Sequence, residues 1–268
     1  MGAEIQRMKA CLNGQRRRAD HPAVPVTPAE LAAAAAGAVL AGAEAVHMHP
    51  RGADSRESLL AADVGAAVAA VRRACPGVPV GVTTGLWVTA GDAAARRAAA
   101  AGWAVLAGPQ RPDFASVNVF EAGAADLPGL LAGLGIGAEA GVWTPEDASL
   151  LADGRAELRA GPWLRIMVEI SGVPADRAVA AAEAVLRRLD GIGSDVPRLL
   201  HGEGESAWPL IAHAGRLGLP ARVGLEDVTT GPDGSPVNGN AELMELALAM
   251  WDTARTGGRG PTKPGRAS

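Results

Sequence analysis

Two histidines two residues apart, His47 and His49, close the apolar run in Ala43-Glu-Ala-Val-His-Met-His-Pro-Arg51. On an extended strand that spacing puts both imidazoles on one face, where a rigid strand end can aim them at one point. Packing of one ring in a core and capping of a loop by the other is the alternative, yet the chain has only five histidines and two of them fall here. The chemistry this predicts is ligation of zinc or another divalent transition metal. A third ligand must come from elsewhere in the chain. Glu226, within Arg222-Val-Gly-Leu-Glu-Asp227, suits the role, because a carboxylate compensates the ion's charge and leaves a position open for water or substrate. Asp227 beside it then serves as a base toward a carbon acidified by a metal-bound carbonyl. Arg222 points the same way as Glu226 on an extended strand, and its planar fork can orient a carboxylate of protein or substrate. A purely structural ion pair is the alternative for Arg222 with either acid.

Residues so distant in sequence need a scaffold that joins the start of the chain to its end. Short β-type runs alternate with alanine-rich helical segments in eight beats between Met8 and about Ala254. The strand candidates are Met8–Leu12, Ala43–His49, Val78–Thr84, Phe114–Phe120, Gly135–Val142, Trp163–Ile170, Arg198–Gly202 and Ala221–Glu226. Helices begin near Pro28, Glu57, Asp92, Asp126, Pro145, Ala175, Ser206 and Ala241, several with first-turn residues of the capping type. The pattern predicts a single-domain (β/α)8 TIM barrel over residues 1–254. A doubly wound sheet would call for a glycine-rich phosphate loop after the first strand, and Leu12-Asn-Gly-Gln-Arg16 lacks it. Residues 255–268, rich in glycine, proline and basic side chains, are expected to form a disordered tail.

A barrel carries its site at the carboxyl ends of its strands, and the polar residues follow that rule. Thr83 and Thr84 end the third run, Ser116 and Asn118 share a face of the fourth, Glu139 lies in the fifth and Glu169 ends the sixth. The hydroxyls and amide could simply satisfy strand ends; beside a metal they could hold an oxyanion. His201, with Glu203, follows the seventh run, where a tight βα turn is slightly preferred over a site element. His21 is assigned to a surface loop, His213 to a helix face and Cys11 to the core.

The net charge of -4 and pI near 5.8 supply no basic field for nucleic acid, although Arg16-Arg17-Arg18 could grip a local anion. The two cysteines and the lack of a secretory pattern at Met1 lead to the expectation of a cytoplasmic protein, without membrane attachment.

These residues resemble the β-keto acid cleavage enzymes, typified by 3-keto-5-aminohexanoate cleavage enzyme. The likeness covers most of the chain and rests on Ala10-Cys-Leu-Asn-Gly14, Val26-Thr-Pro-Ala-Glu-Leu31, the segment Ala41–Arg51 around the paired histidines, Ala115-Ser-Val-Asn-Val119 and Arg222–Asp227. It implies a zinc barrel with His47, His49 and Glu226 as ligands, and Asp227 and Arg222 as base and partner. It implies condensation of a β-keto acid with acetyl-CoA as co-substrate, followed by retro-Claisen release of acetoacetate and a new acyl-CoA. It further implies Thr83 and Ser116 as substrate contacts, beside which Arg16, Asn118 and Glu139, the last near a family carboxylate, are also expected to bind substrate, and a homo-oligomer, a tetramer. Two departures bear on substrate choice. Arg16 stands where the aminohexanoate enzyme carries a glutamate for the substrate ammonium, so an anionic or polar tail is expected instead of an amino one. Val228 replaces an asparagine found in many relatives.

The rivals are a metal-dependent hydrolase on the same barrel and a non-catalytic metabolite-binding barrel. Lysine occurs only at Lys9 and Lys263, which leaves no bridging or Schiff-base lysine at a later strand end and disfavours both hydrolase and class I aldolase chemistry.

Overall fold

A computed structural model describes residues 4–153 and 161–257. Eight parallel strands close in sequence order, β1 Met8–Cys11, β2 Ala45–Met48, β3 Val80–Thr83, β4 Phe114–Asn118, β5 Gly137–Val142, β6 Trp163–Ile170, β7 Arg198–Gly202 and β8 Ala221–Val223, with β8 pairing back onto β1. The helices between and after them are α1 Pro28–Leu40, α2 Ala61–Ala74, α3 Ala93–Gly102, α4 Leu127–Gly133, α5 Pro145–Asp153, α6 Ala175–Gly191, α7 Ala207–Leu217 and α8 Asn240–Gly257. The expected (β/α)8 barrel is the fold. Local chemistry starts several helices where expected: Thr27 and Glu30 form a reciprocal capping box on α1, and Asp92 caps α3 through the N–H groups of Ala94 and Ala95. No helix among the described residues is long and apolar enough to cross a membrane. The helix α8 carries the fold through Gly257, beyond the expected boundary at 254. The rest of the expected disordered tail, 258–268, lies outside the described residues.

Three expectations need correction. The sixth and seventh strands have the expected bounds, and the other six are shorter than expected. The eighth run ends at Val223, and Gly224–Asp227 form a turn in which Asp227 N–H bonds Gly224 O at 2.9 Å. Arg222 and Glu226 therefore meet by chain reversal instead of by strand alternation. The second helix begins at Ala61 because Glu57 is drawn into a bridge with Arg51, closing a small loop.

Strand alternation divides the side chains cleanly. Met8, Ala10, Val46, Met48, Val80, Val82, Ala115, Val117, Ala138 and Ala140 join the main core between sheet and helices. The intervening residues fill the barrel. At its base Ile5, Ala45, Phe114 and Leu199 pack with Leu164 as an apolar plug. Above it lies a buried charged layer: Lys9 Nζ reaches Glu139 Oε1 and Oε2 at 3.0 and 2.8 Å, and Arg165 Nε lies 2.9 Å from Glu139 Oε1. Both cations also sit over the Phe114 ring, at 5.4 and 5.6 Å from its centre. The ring fits only because β3 offers Gly81, where a Cβ would fall 1.9 Å from it. Glu139 is thus an internal counter-ion enclosed below the site. The expectation that it contacts substrate is corrected, because its carboxylate is fully buried and spent on two cations.

Removing that carboxylate leaves the fully buried Lys9 without its counter-ion. Glu139→Ala is expected to cost about 3–5 kcal/mol, read as a lowered denaturant midpoint.

Candidate metal and catalytic site

His47 points into the barrel from β2, and His49 lies just past the strand, where Asn13 fixes its backbone. The Asn13 amide accepts from His49 N–H at 2.8 Å and donates to His49 O at 2.9 Å. Asn240 anchors the turn after β8 in the same manner, accepting from Leu225 N–H and donating to Leu12 O. The Glu226 N–H completes the seam by donating to Cys11 O at 3.2 Å. Two glycines permit this approach: a Cβ at Gly224 would fall 1.8 Å from Cys11 O, and one at Gly14, which has φ +52°, would fall 2.4 Å from Glu226 Cγ.

Three side chains meet where the seam opens. Glu226 Oε2 is 3.8 Å from His47 Nε2 and 3.6 Å from His49 Nε2, and the donor atoms of the trio lie within 4.8 Å of one another. Ligand bonds of roughly 2.0–2.2 Å in a tetrahedron space donors about 3.4 Å apart, so a zinc-sized ion fits with small adjustments. The donor set also asks for a cation, since Glu226 Oε2 is buried without a hydrogen-bond partner. Burial works to lower the His49 pKa, but the facing carboxylates of Glu226 and Glu57 outweigh it and raise it to about 9. His47 is pushed well below the usual imidazole range by burial, despite Glu226, and is neutral as a ligand must be.

Glu57 was missed in the sequence, where it read as the start of a helix. Its Oε1 lies 2.5 Å from His49 Nδ1, the far side of the ring from Glu226. A carboxylate there fixes the tautomer and increases ligand basicity. Glu57 is itself held by Trp87, whose Nε1 donates to both carboxylate oxygens at 3.2 and 3.1 Å while the indole stacks on His49. Only the isolated glutamate eight residues after His49 could have hinted at this pairing, and no periodicity marks it.

Arg222 binds both acids of the turn, with Nη2 2.9 Å from Glu226 Oε1 and 2.6 Å from Asp227 Oδ1 and Nε 3.2 Å from Asp227 Oδ1. Burial would raise the Glu226 pKa, yet Arg222 and the two histidines hold it well below the carboxylate range. Asp227 goes the other way: burial, assisted by Glu226, outweighs Arg222 and raises it to about 7. Its Oδ2 is buried and unbonded. His201 is more than part of a turn, since it points into the barrel from β7 with Nε2 3.0 Å from Glu169 Oε2 and Nδ1 4.0 Å from Asp227 Oδ1. Burial, reinforced by Arg222, lowers its pKa to about 4.

These groups open onto a cavity of about 460 Å³ whose lining includes Arg16, Thr83, Ser116 and Asn118, four of the five expected substrate contacts; Glu139 is not among its lining residues. Thr83 Oγ1 accepts from Gly85 N–H, and Asn118 Nδ2 donates to Glu121. Thr84 lies apart from the lining and donates its hydroxyl to Ser116 O. Arg16 uses Nε and Nη2 on the carbonyls of Glu226 and Asp227 at 3.2 and 3.3 Å. Sequence reading overlooked the aromatic wall formed by Trp87, Phe120 and Trp143, the last two in edge contact at 5.1 Å.

Residues 8–267 match the family described as beta-keto acid cleavage enzyme. No curated protein matches the chain. Among solved structures it is similar to ObcA in complex with oxaloacetate, at 18% identity and a TM-score of 0.64, over 85% of this chain and 63% of that one. ObcA with a C4-CoA adduct and oxalate gives a TM-score of 0.67 at 18% identity, with coverage of 85% and 63%. A 3-dehydroquinate dehydratase from Geobacillus kaustophilus HTA426 gives 0.60 at 12% identity, over 93% and 92% of the two chains. The chain thus spans less than two thirds of the length of ObcA, and at these identities the likeness shows the barrel alone.

If Glu57 tunes His49 as a ligand, Glu57→Gln is expected to weaken retention of a divalent ion by about 10–100-fold, measured by competition with a chelator.

Proposed function

This chain belongs to the beta-keto acid cleavage enzyme family, and from that premise we propose that it condenses a β-keto acid with acetyl-CoA and releases acetoacetate and a new acyl-CoA. The observation that carries this reading is the convergence of His47, His49 and Glu226 beside an Asp227 whose free oxygen faces the same buried space. His47, His49 and Glu226 would hold a divalent ion, zinc by preference, which supplies Lewis-acid polarisation of a keto oxygen.

The protein's own groups divide the remaining work. Asp227 Oδ2 removes a proton from the carbon between the keto and carboxylate groups and returns it to the product carbanion. Arg222 restrains Oδ1 of that base, leaving the other oxygen for the substrate. Thr83, Ser116 and Asn118 line the same cavity, and their hydroxyls and amide hold the substrate carboxylate. Attack of the resulting carbanion on the thioester, passage of CoA to the other carbonyl and scission of the old carbon–carbon bond balance as one acyl exchanged for another.

Arg16 guides substrate choice. Of its five N–H donors, the Nε and one on Nη2 go to main-chain carbonyls, so others remain for an anionic or polar tail. A keto dicarboxylate of the kind bound by ObcA agrees with that preference.

Incubation with a panel of β-keto acids and acetyl-CoA is expected to yield acetoacetate and acyl-CoA, with a dicarboxylate preferred over an amino substrate. Asp227→Asn, which keeps the contact with Arg222, is expected to lower kcat by about 10²–10⁴-fold. Hydrolysis without thioester exchange, or an undiminished variant, would reject the assignment.

A further inference from the structure

A second cleft, of about 650 Å³, opens beside the cavity between the loops that follow β1 and β2. Five arginines line it, Arg16, Arg17, Arg18, Arg51 and Arg56, against two acids, Asp54 and Glu57. Glu57 is engaged by His49 and Trp87, Asp54 lies 3.8 Å from Arg56, and Arg18 is paired with Glu30, which is not among the lining residues. Arg51 ties the loops together by donating to the carbonyls of Gly14 and Arg16, and its buried Nε has no partner. Arg17 is exposed and its guanidinium has no partner among the described residues. Such a concentration of positive charge in a chain of net charge -4 raises the local potential for an anion with several charges. Gln15 and Arg16 line both this cleft and the active-site cavity, so one extended ligand can occupy the two at once.

We propose that this arginine cleft binds the phosphate groups of the thioester co-substrate, with Arg17 and Arg56 as their contacts, while the acyl end passes Gln15 and Arg16 to the reaction site. The inference rests on the thioester reading of the function. Guanidinium forks pair with phosphate oxygens through two parallel hydrogen bonds, which suits a diphosphate held at the edge of solvent. An isolated polyphosphate offers the same chemistry, so the test must separate the two sources.

Calorimetry of the whole protein with coenzyme A, with pantetheine, which lacks phosphate, and with pyrophosphate provides that separation. Arg17→Ala/Arg56→Ala alters only exposed side chains outside the proposed reaction chemistry. Coenzyme A is expected to bind the double variant at least tenfold more weakly than the wild type, pantetheine equally to both, and pyrophosphate to compete with coenzyme A. The KM for acetyl-CoA should rise in step while that for the keto acid stays constant. Unchanged affinity for coenzyme A in the variant would overturn the proposal, as would failure of the wild type to bind either coenzyme A or pyrophosphate. Pyrophosphate binding that depends on the same arginines, without coenzyme A binding or thioester turnover, would uphold the cleft as a phosphate site and reject the thioester reading instead.

Discussion

The pairing of β8 with β1 is the constraint on which the site depends. It brings a turn from the end of the chain against histidines supplied near its beginning, and only a closed cylinder of parallel strands does so without a long connection. The seam is made from backbone and small residues: Gly224 lets β8 press on Cys11, Gly14 leaves space for Glu226, and the amides of Asn13 and Asn240 substitute for ladder bonds where the strands diverge. A side chain at either glycine would push the carboxylate away from the imidazoles.

Once the seam closes, the electrostatics follow from burial. Negative and positive groups are withdrawn from water together, and each must be compensated locally. Below, Glu139 faces both Lys9 and Arg165, one acid for two cations. Above, Arg222 balances Glu226 and Asp227 together, one cation for two acids, with Glu169 and Glu57 satisfied by histidines. The upper layer is therefore short of positive charge at the point where Glu226 and the two histidines converge. That deficit is what a divalent ion would fill, and it also spreads the pKa values of adjacent carboxylates apart, the arrangement that separates a ligand from a base.

Much of this was legible in the residues themselves. Eight short β-type runs alternating with alanine-rich segments point to the barrel, and a pair of histidines at period two, with three charged residues on one later segment, points to the trio at the center of the site. Glu139 was misread because position along a strand decides depth in a barrel, and its register, opposite Ser116 and Arg165, emerges only from pairing. Glu57 and Trp87 were hidden because loops carry no period; their meeting at His49 depends on how the loops after β2 and β3 fold over the rim. His201 reads as part of a turn because a histidine beside glycines and acids gives no sign of facing inward. The reversal at Gly224 escaped notice for a similar reason, since a run of apolar and charged residues reads equally well as strand or turn.

Anomalous diffraction from crystals of the purified protein tests whether the three side chains share one ion. Data on the two sides of the zinc absorption edge should show a single peak about 2.0–2.2 Å from His47 Nε2, His49 Nε2 and Glu226 Oε2. An ion held elsewhere, or a well-ordered metal-free trio after purification with zinc present, would contradict the account.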